Sequence, residues 1–224
     1  MPLKALFYDL DGTLGDTLPV TYVAFRATFE RFLGQSPSDE AIHELFGPTD
    51  EGILRDRIPA NRADEALAFY LERQEAALRE MAPEPFEGLR EVLGRLAAAG
   101  VTQGVITGKG PRSLEMILRE WKLANFFRTS LPGSPDGNIK PQRLREAMAE
   151  WELEPGETVY AGDSPSDITD ARSAGVFAVA AAWAPGARRE DLLRREPDKL
   201  FTNVHDFAEW ALEAASAGKP SVAN

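Results

Sequence analysis

The sequence predicts an α/β fold in which a parallel sheet is interrupted near its start by a helical insert. Downstream of residue 86, short aliphatic and β-branched segments alternate with amphipathic ones, as parallel strands alternate with crossover helices. Between the first strand-like segment, residues 5–8, and residue 86, only helix-like segments occur. We therefore expect an α/β core formed by residues 1–16 and 86–215, a helical segment over residues 17–85 and a flexible tail over residues 216–224.

The helical insert repeats a pattern of capping residue, amphipathic run and breaker. In the first run Thr17 is placed to cap a helix, Pro19 lies in its first turn and Gly34 follows it. A proline-containing stretch at residues 82–85 then stops the last helix, as a linker to a different part of the fold would. The predicted helices of the insert cover residues 19–34, 38–46, 49–57 and 61–81.

The rest of the core is predicted to contain further helices and strands in alternation. The helices cover residues 88–99, 111–123, 141–151 and 165–174, and the strands cover residues 101–107, 126–131, 157–161 and 176–182. In open parallel sheets, ligands bind at the carboxyl ends of the strands. The polar residues that follow predicted strands are Asp9, Asp11, Thr107, Gly108, Lys109, Asp163 and Asp167.

Composition excludes several classes of function. The absence of cysteine rules out disulfides, thiolate metal sites and cysteine nucleophiles, and two histidines favour a hard, oxygen-bound metal. A net charge of −11 argues against nucleic-acid binding, because a phosphate backbone needs a basic surface. Neither a membrane span nor a secretory leader is indicated, so we expect a soluble cytoplasmic protein.

The first strand-like segment runs directly into two acids. Asp9 and Asp11 are two residues apart, so in an extended chain their carboxylates share a face and repel unless a cation or proton lies between them. Gly12 and Thr13 then offer flexible backbone and a hydroxyl, as a phosphate-accepting loop needs. A plain strand ending in a turn is the alternative interpretation, and the motifs elsewhere in the chain favour the metal site.

Four short motifs occur in a characteristic order: DLDGT at residues 9–13, Thr107 at a strand end, Lys140 before a proline, and GDSPSD at residues 162–167. This set resembles the haloacid dehalogenase superfamily, and most closely its phosphoglycolate phosphatase-like members. The resemblance implies a Rossmann-like core of three layers, α/β/α, with an inserted all-helical cap of the family's first type.

The resemblance also implies catalytic roles. Asp9 matches the nucleophile that forms an aspartyl-phosphate, and Asp11 matches the general acid and base. Thr107 matches the hydroxyl that holds a phosphoryl oxygen, and Lys140 matches the lysine that neutralises the nucleophile and the phosphoryl group. Taken alone, Thr107 could be an ordinary strand-end residue and Lys140 a surface lysine.

The implied cofactor is Mg²⁺. Its ligands would come from Asp9, Asp11 (through its backbone carbonyl), Asp163 and Asp167, the last as a partner of the direct ligands. The acids of the GDSPSD motif could equally cap the helix that follows, and capping and metal binding are compatible. The substrate phosphate would contact Gly12, Gly108 and Lys109.

Within the family, the residues favour hydrolysis of a small phosphorylated metabolite. Family dehalogenases lack the second acid, which is Asp11 here, and residues 5–108 contain no lysine that could form the Schiff base of family phosphonatases. Related sugar phosphomutases carry a histidine where this chain has Thr21. A phosphomutase, a nucleotidase and a pyrophosphatase stay open as alternatives.

Substrate selection is expected to lie in the helical segment, with Arg55 or Arg57 as candidate ligands of a substrate carboxylate. His43 and His205 lack an acidic or seryl partner pattern and are interpreted as structural or surface residues. The motif order and the insert oppose a phosphorylatable receiver module. A dinucleotide-binding fingerprint is incomplete, because Ser113 stands where its third glycine would be. A non-catalytic binding protein is the remaining alternative.

Overall fold

The computed structural model describes residues 2–82 and 84–217. Its strands form one parallel sheet in the order β3-β2-β1-β4-β5-β6, where they are β1 (Ala5–Tyr8), β2 (Thr102–Ile106), β3 (Thr129–Leu131), β4 (Thr158–Gly162), β5 (Phe177–Ala181) and β6 (Lys199–Phe201). The predicted α/β class with a Rossmann-like parallel sheet is confirmed.

The helices of the described residues connect these strands or form the insert. They are α1 (Leu18–Leu33), α2 (Asp39–His43), α3 (Asp50–Arg57), α4 (Ala63–Met81), α5 (Leu89–Ala98), α6 (Pro111–Glu120), α7 (Lys140–Glu150), α8 (Pro165–Ala174), α9 (Arg189–Leu193) and α10 (Val204–Ser216). In the described part of the chain, we find none with the length and apolar character that crossing a membrane requires.

The central strand β1 separates two apolar layers. Because side chains alternate along a strand, Leu6 and Tyr8 pack into the layer of α5, α6 and α10, while Ala5 and Phe7 pack into the layer of α7 and α8. Opposite Phe7 on β2 is Gly104, where an added Cβ would lie 2.7 Å from the phenyl ring. Both faces of the sheet are therefore covered, which gives the three-layer arrangement.

Helices α1 and α4 pack together over an aromatic core of their own. Phe25 and Tyr70 lie at its centre with ring centroids 4.5 Å apart, and both are fully buried. Toward the end of α4, Ala77 and Leu78 join the apolar layer of the sheet instead. At this end the helical segment packs directly on the core. The chain also passes between the two here, once on leaving the core and once on returning, and the two passages are joined by a hydrogen bond from Phe86 N to Leu14 O at 3.0 Å.

At its other end the helical segment contacts the loop that follows β3. Thr49 N donates to Ser134 O at 3.0 Å, and Arg55 Nη2 donates to Pro135 O at 3.2 Å and to Asp136 Oδ1 at 3.1 Å. The approach is close, since a Cβ on Gly52 would lie 2.4 Å from Pro135 O. These contacts hold the start of α3 above the carboxyl edge of the sheet.

Several elements differ from their predicted bounds. β6 and α9 have no predicted counterpart, because β6 has three residues and the short α9 lies in a charged stretch. Strand 126–131 shortens to β3, since residues 124–126 form a 3-10 turn. Of the predicted tail, Ser216 belongs to α10, and residues 218–224 lie outside the described residues. The predicted division into core, helical segment and tail stays a prediction.

Trp121 joins the helical segment to the core and gives a test of this packing. Its buried indole Nε1 donates to Ala82 O at 2.9 Å, and its ring fills the space beside Gly15. We expect Trp121→Ala to lower the free energy of unfolding by about 3–5 kcal/mol, because a large cavity forms and a buried carbonyl loses its donor. Urea unfolding measures this loss. The exposed Val23→Ala should change stability by less than about 0.5 kcal/mol, and equal effects of the two variants would contradict the assignment.

Candidate active site

Acids of the first and last motifs lie close together at the point of the sheet where the strand order reverses. β1 is flanked by β2 and β4, so the chain proceeds to one side of β1 through β2 and β3 and to the other through β4 to β6. Asp9 follows β1 and Asp163 follows β4. This is the switch point at which open parallel sheets bind ligands.

The loop after β1 is shaped by Gly12. Gly12 has φ +72°, a left-handed conformation that glycine adopts without strain. A Cβ at this position would lie 2.1 Å from Asp163 Oδ2, so only glycine leaves room for that carboxylate. Within the same loop Thr17 Oγ1 donates to Asp11 Oδ1 at 2.5 Å, which fixes the orientation of the second acid.

Lys140 lies between two of the carboxylates. Its Nζ is 3.0 Å from Asp9 Oδ1 and 2.6 Å from Asp167 Oδ1. Burial opposes the charged form of Lys140, but the attraction of Asp167 and Asp9 outweighs it and holds the pKa of the lysine well above its usual value. Asn138 Oδ1 accepts from Lys140 N at 3.0 Å and so fixes the start of α7. Lys140 is therefore a permanent cation, and its side chain is only 12% exposed.

Asp167 is held by the helix that it begins. Its Oδ2 accepts from Ser164 N at 3.0 Å and Ser164 Oγ at 2.7 Å, and Ser164 Oγ accepts from Asp167 N, which completes a capping box. Its Oδ1 accepts from Lys140 and from Tyr160 Oη at 3.3 Å. The predicted capping role is therefore present alongside a position at the acid cluster.

Three carboxylates form a group that suits a divalent cation. One oxygen from each of Asp9, Asp163 and Asp167 lies within 4.8 Å of the other two. Burial raises the pKa of Asp9 to about 7 against the opposing effect of Lys140, and burial raises the pKa of Asp163 well above its usual value. Such shifts mean that the cluster lacks positive charge, which a bound cation would supply. The Asp11 carboxylate stands outside this group, as expected if only its backbone carbonyl is a ligand.

The second motif brings Thr107 and Lys109 to the same edge. Thr107 is buried at the end of β2, and its Oγ1 accepts from Lys109 N at 3.3 Å. Lys109 Nζ is 3.2 Å from Asp11 Oδ1 and donates to Thr21 Oγ1 at 2.8 Å. Burial opposes the charge of Lys109, but Asp11 and Asp50 attract it and leave the pKa raised. Lys109 thus connects the sheet to α1 of the helical segment.

A cavity of about 420 Å³ opens between the acid cluster and the helical segment. The predicted residues Asp9, Asp11, Thr107, Gly108, Lys109, Lys140 and Asp163 all line it. Asp167 lies just behind this wall, fully buried. Gly12, a predicted phosphate contact, is not among the residues that line the cavity, and the Asp163 carboxylate occupies the space beside its Cα. The structure thus gathers the motif residues around one cavity.

Sequence reasoning missed several residues of this cavity. Asp50 is buried at the start of α3, where it accepts from Tyr70 Oη at 2.8 Å and Gly110 N at 3.4 Å. Asp170 accepts from Asn138 Nδ2 at 2.9 Å on the other side. Asp50 carried a signal, because it follows a capping threonine, but that pattern is also typical of an exposed helix N-terminus. No sequence pattern singled out Asp170, apart from its place on α8.

The structure also places the two candidate arginines and the two histidines. Arg55 lies outside the cavity wall, because its guanidinium is turned to Pro135 O and Asp136, and Arg57 is exposed and also outside it. His43 is exposed, in agreement with its interpretation as a structural or surface residue, and it also lines the mouth of the cavity, where its Nδ1 is 3.0 Å from Tyr22 Oη. His205 is exposed on α10, away from this cavity.

Comparison with known proteins agrees with this geometry. A family model described as haloacid dehalogenase-like hydrolase matches residues 6–181. The chain belongs to this family. It is 26% identical to pyrophosphatase PpaX of Bacillus mycoides, covering 92% of this chain and 96% of the relative. It is 28% identical to phosphoglycolate phosphatase 1 of Pseudomonas aeruginosa, covering 97% and 83%.

A solved structure of the same family has the same fold. The haloacid dehalogenase-like family protein SP0104 of Streptococcus pneumoniae superposes with a TM-score of 0.73 at 25% identity, covering 93% of this chain and 98% of that one. The predicted family and the prediction of a phosphatase enzyme are confirmed by these matches. The buried acid group fits the divalent metal expected of such an enzyme.

The contact between Gly12 and Asp163 can be tested with a matched pair of glycines. We expect Gly12→Ala to abolish phosphatase activity and to weaken divalent-metal binding by about tenfold or more, because the new methyl group displaces Asp163. Isothermal titration with Mg²⁺ measures the binding. Gly34→Ala is the control, since Gly34 has φ +66° with open space around its Cβ position. Equal metal affinities in the two variants would contradict a role for this contact.

The raised pKa of Asp9 predicts a pH-dependent stability in the metal-free protein. Burial raises this pKa from 3.8 to about 7, so the folded state binds the proton more tightly than the unfolded state does. The contribution of Asp9 to stability is thus full below the lower value and is lost as the pH rises through about 7. We expect Asp9→Asn to stabilise the metal-free protein at pH 8 more than at pH 5. Urea unfolding in the presence of a chelator measures both, and a gain that does not depend on pH would contradict the assignment.

Proposed function

We propose that this protein is a Mg²⁺-dependent phosphatase that hydrolyses small phosphate monoesters through an aspartyl-phosphate on Asp9. The observation that carries the proposal is the bridge of Lys140 Nζ between Asp9 and Asp167, set beside Asp163. A nucleophilic carboxylate needs a fixed cation beside it, because the cation reduces the repulsion between the carboxylate and an anionic phosphate.

In the first step, one carboxylate oxygen of Asp9 attacks phosphorus and the bond from phosphorus to the ester oxygen breaks. Asp11 gives its proton to the departing oxygen, which leaves as an alcohol. In the second step Asp11 takes a proton from water, whose oxygen attacks the phosphorus of the aspartyl-phosphate. Phosphate leaves and Asp9 is regenerated. The hydrogen bond from Thr17 and the contact with Lys109 orient the Asp11 carboxyl.

The surrounding groups stabilise charge on the transferred phosphoryl group. Lys140 neutralises Asp9 and faces the cavity, and the Thr107 hydroxyl at the end of β2 can donate to a phosphoryl oxygen. Asp9 and Asp163 would hold Mg²⁺, together with the Asp11 carbonyl, and Asp167 would orient the site. When bound, the ion shields the negative charges of carboxylate and phosphate from each other.

Hydrolysis is favoured over a phosphomutase reaction by the surroundings of Thr21. Its hydroxyl accepts from Lys109 Nζ and donates to Thr17 O, so this position holds the catalytic loop in place and supplies no base for a sugar hydroxyl. We also propose that residues 17–85 act as a cap that covers the substrate on a core formed by residues 1–16 and 86–215. The small substrate would lie in the cavity between them.

The activity can be tested with p-nitrophenyl phosphate. We expect Mg²⁺-dependent release of phosphate that chelation abolishes and that Asp9→Asn removes entirely, since an amide cannot attack phosphorus. Lys140→Met should lower kcat by about 10²–10³-fold through loss of charge stabilisation. The exposed Arg57→Ala provides the control and should retain full activity. Activity that survives in Asp9→Asn would contradict the assigned nucleophile.

A further inference from the structure

We infer that the group released from the phosphate is an uncharged alcohol, so that the preferred substrates carry no anionic group besides the phosphate ester. This inference rests on the proposed phosphatase function and concerns the groups that line the cavity. Within the described residues, the lining combines apolar side chains, hydroxyl groups and acids, and its two lysines are already paired with carboxylates.

The apolar part of the wall comes from the helical segment. Leu18, Phe46, Pro48 and Ile53 face the cavity. The Phe46 ring is fixed in position, because it stacks on Tyr22 with centroids 6.0 Å apart and planes 9° apart. A rigid apolar surface of this kind favours the carbon skeleton of a leaving group over a hydrated anion.

The lysines that line the cavity form ion pairs with carboxylates of the protein. Lys140 bridges Asp9 and Asp167, and Lys109 lies 3.2 Å from Asp11. Lys109 is also attracted by Asp50, so two carboxylates balance its single charge. A carboxylate or second phosphate on the substrate would therefore have to compete with a buried acid for either lysine.

Acids on two sides of the wall oppose a second anion. Asp50 is 5% exposed and Asp170 is 6% exposed, and both line the cavity. Asp50 keeps donors from Tyr70 and Gly110, and Asp170 keeps the amide of Asn138. In a partly buried cavity, repulsion between like charges is screened less than in water. An uncharged hydroxyl of the substrate, by contrast, could donate to either carboxylate.

Other cations near the cavity do not change this balance. Within residues 17–82, the arginines all lie outside the wall. Together with burial, the charge of Arg188 lowers the pKa of His43 at the mouth, but the Arg188 side chain is 69% exposed and its Nε lies 3.5 Å from Asp191 Oδ2. His43 itself has a lowered pKa, because burial and then Arg188 disfavour its charged form. At neutral pH the mouth thus presents a neutral imidazole beside an exposed, paired arginine.

The substrates named for two relatives differ in charge from those inferred for this chain. The names of the Bacillus mycoides and Pseudomonas aeruginosa proteins specify pyrophosphate and phosphoglycolate, which both carry a second anionic group. If the wall of the cavity selects the leaving group, this chain should prefer the uncharged counterparts of such substrates. The preference can be measured with esters that differ in charge and little in size.

The test compares kcat/KM of the full chain with Mg²⁺ for two matched pairs. They are 2-phosphoglycolate with 2-hydroxyethyl phosphate, and 3-phosphoglycerate with glycerol 3-phosphate. We expect the uncharged member of each pair to be favoured by about tenfold or more, as one unfavourable charge contact would give. Equal or higher values for the anionic members would overturn the inference alone. Failure to hydrolyse every ester, p-nitrophenyl phosphate included, would overturn the proposed function and the inference with it.

Variants at the mouth separate the electrostatic cause from other causes. His43→Lys places a permanent cation there and should raise kcat/KM for the anionic esters several-fold relative to the uncharged ones, whereas His43→Gln should leave the ratio unchanged. An unchanged ratio in His43→Lys would contradict selection by charge. Arg188→Gln should also leave the ratio as it is. A further fall in activity toward the anionic esters in this variant would show that Arg188 binds them, which overturns the inference.

Discussion

The repulsion between buried carboxylates at the switch point of the sheet is the constraint on which the rest of the site depends. Parallel strands deliver Asp9 and Asp163 to one edge because their carboxyl ends coincide, and helix α8 adds Asp167. Lys140 offsets part of this charge from the first turn of α7. Buried ion pairs are weak contributors to stability, because desolvation opposes the Coulombic gain. The cluster therefore serves the chemistry of the site and contributes little to the stability of the fold.

The surrounding structure compensates for this local cost. The two apolar layers on the sheet and the aromatic core of the helical segment bury large side chains at some distance from the acids. Close to the acids, fixed donors orient three of the carboxylates: the capping box orients Asp167, the hydroxyl of Thr17 orients Asp11, and the Asn138 Nδ2 group orients Asp170. These carboxylates therefore need little reorganisation when substrate binds.

Much of the fold and part of the site could be predicted from sequence. The alternation of strands and helices and the four motifs carry strong local signals, and the carboxyl-edge rule places Asp9, Thr107 and Asp163 together. Asp50 could not be predicted as a cavity residue, since its place depends on how α3 approaches Gly110 in space. The contacts of Arg55 with Pro135 and Asp136 depend on the same approach in space. A helix turned by a fraction of a turn presents a different side chain, and the sequence does not record that rotation.

The two chain crossings beside Trp121 attach the helical segment covalently to the core. The outgoing chain at Leu14 and the returning chain at Phe86 are joined by a backbone hydrogen bond, so the two linkers run side by side. The polar contacts of Thr49 and Arg55 with the loop after β3 attach the segment to the core at a second place. This second attachment consists of hydrogen bonds and an ion pair without a covalent link, so it can separate while the chain stays intact.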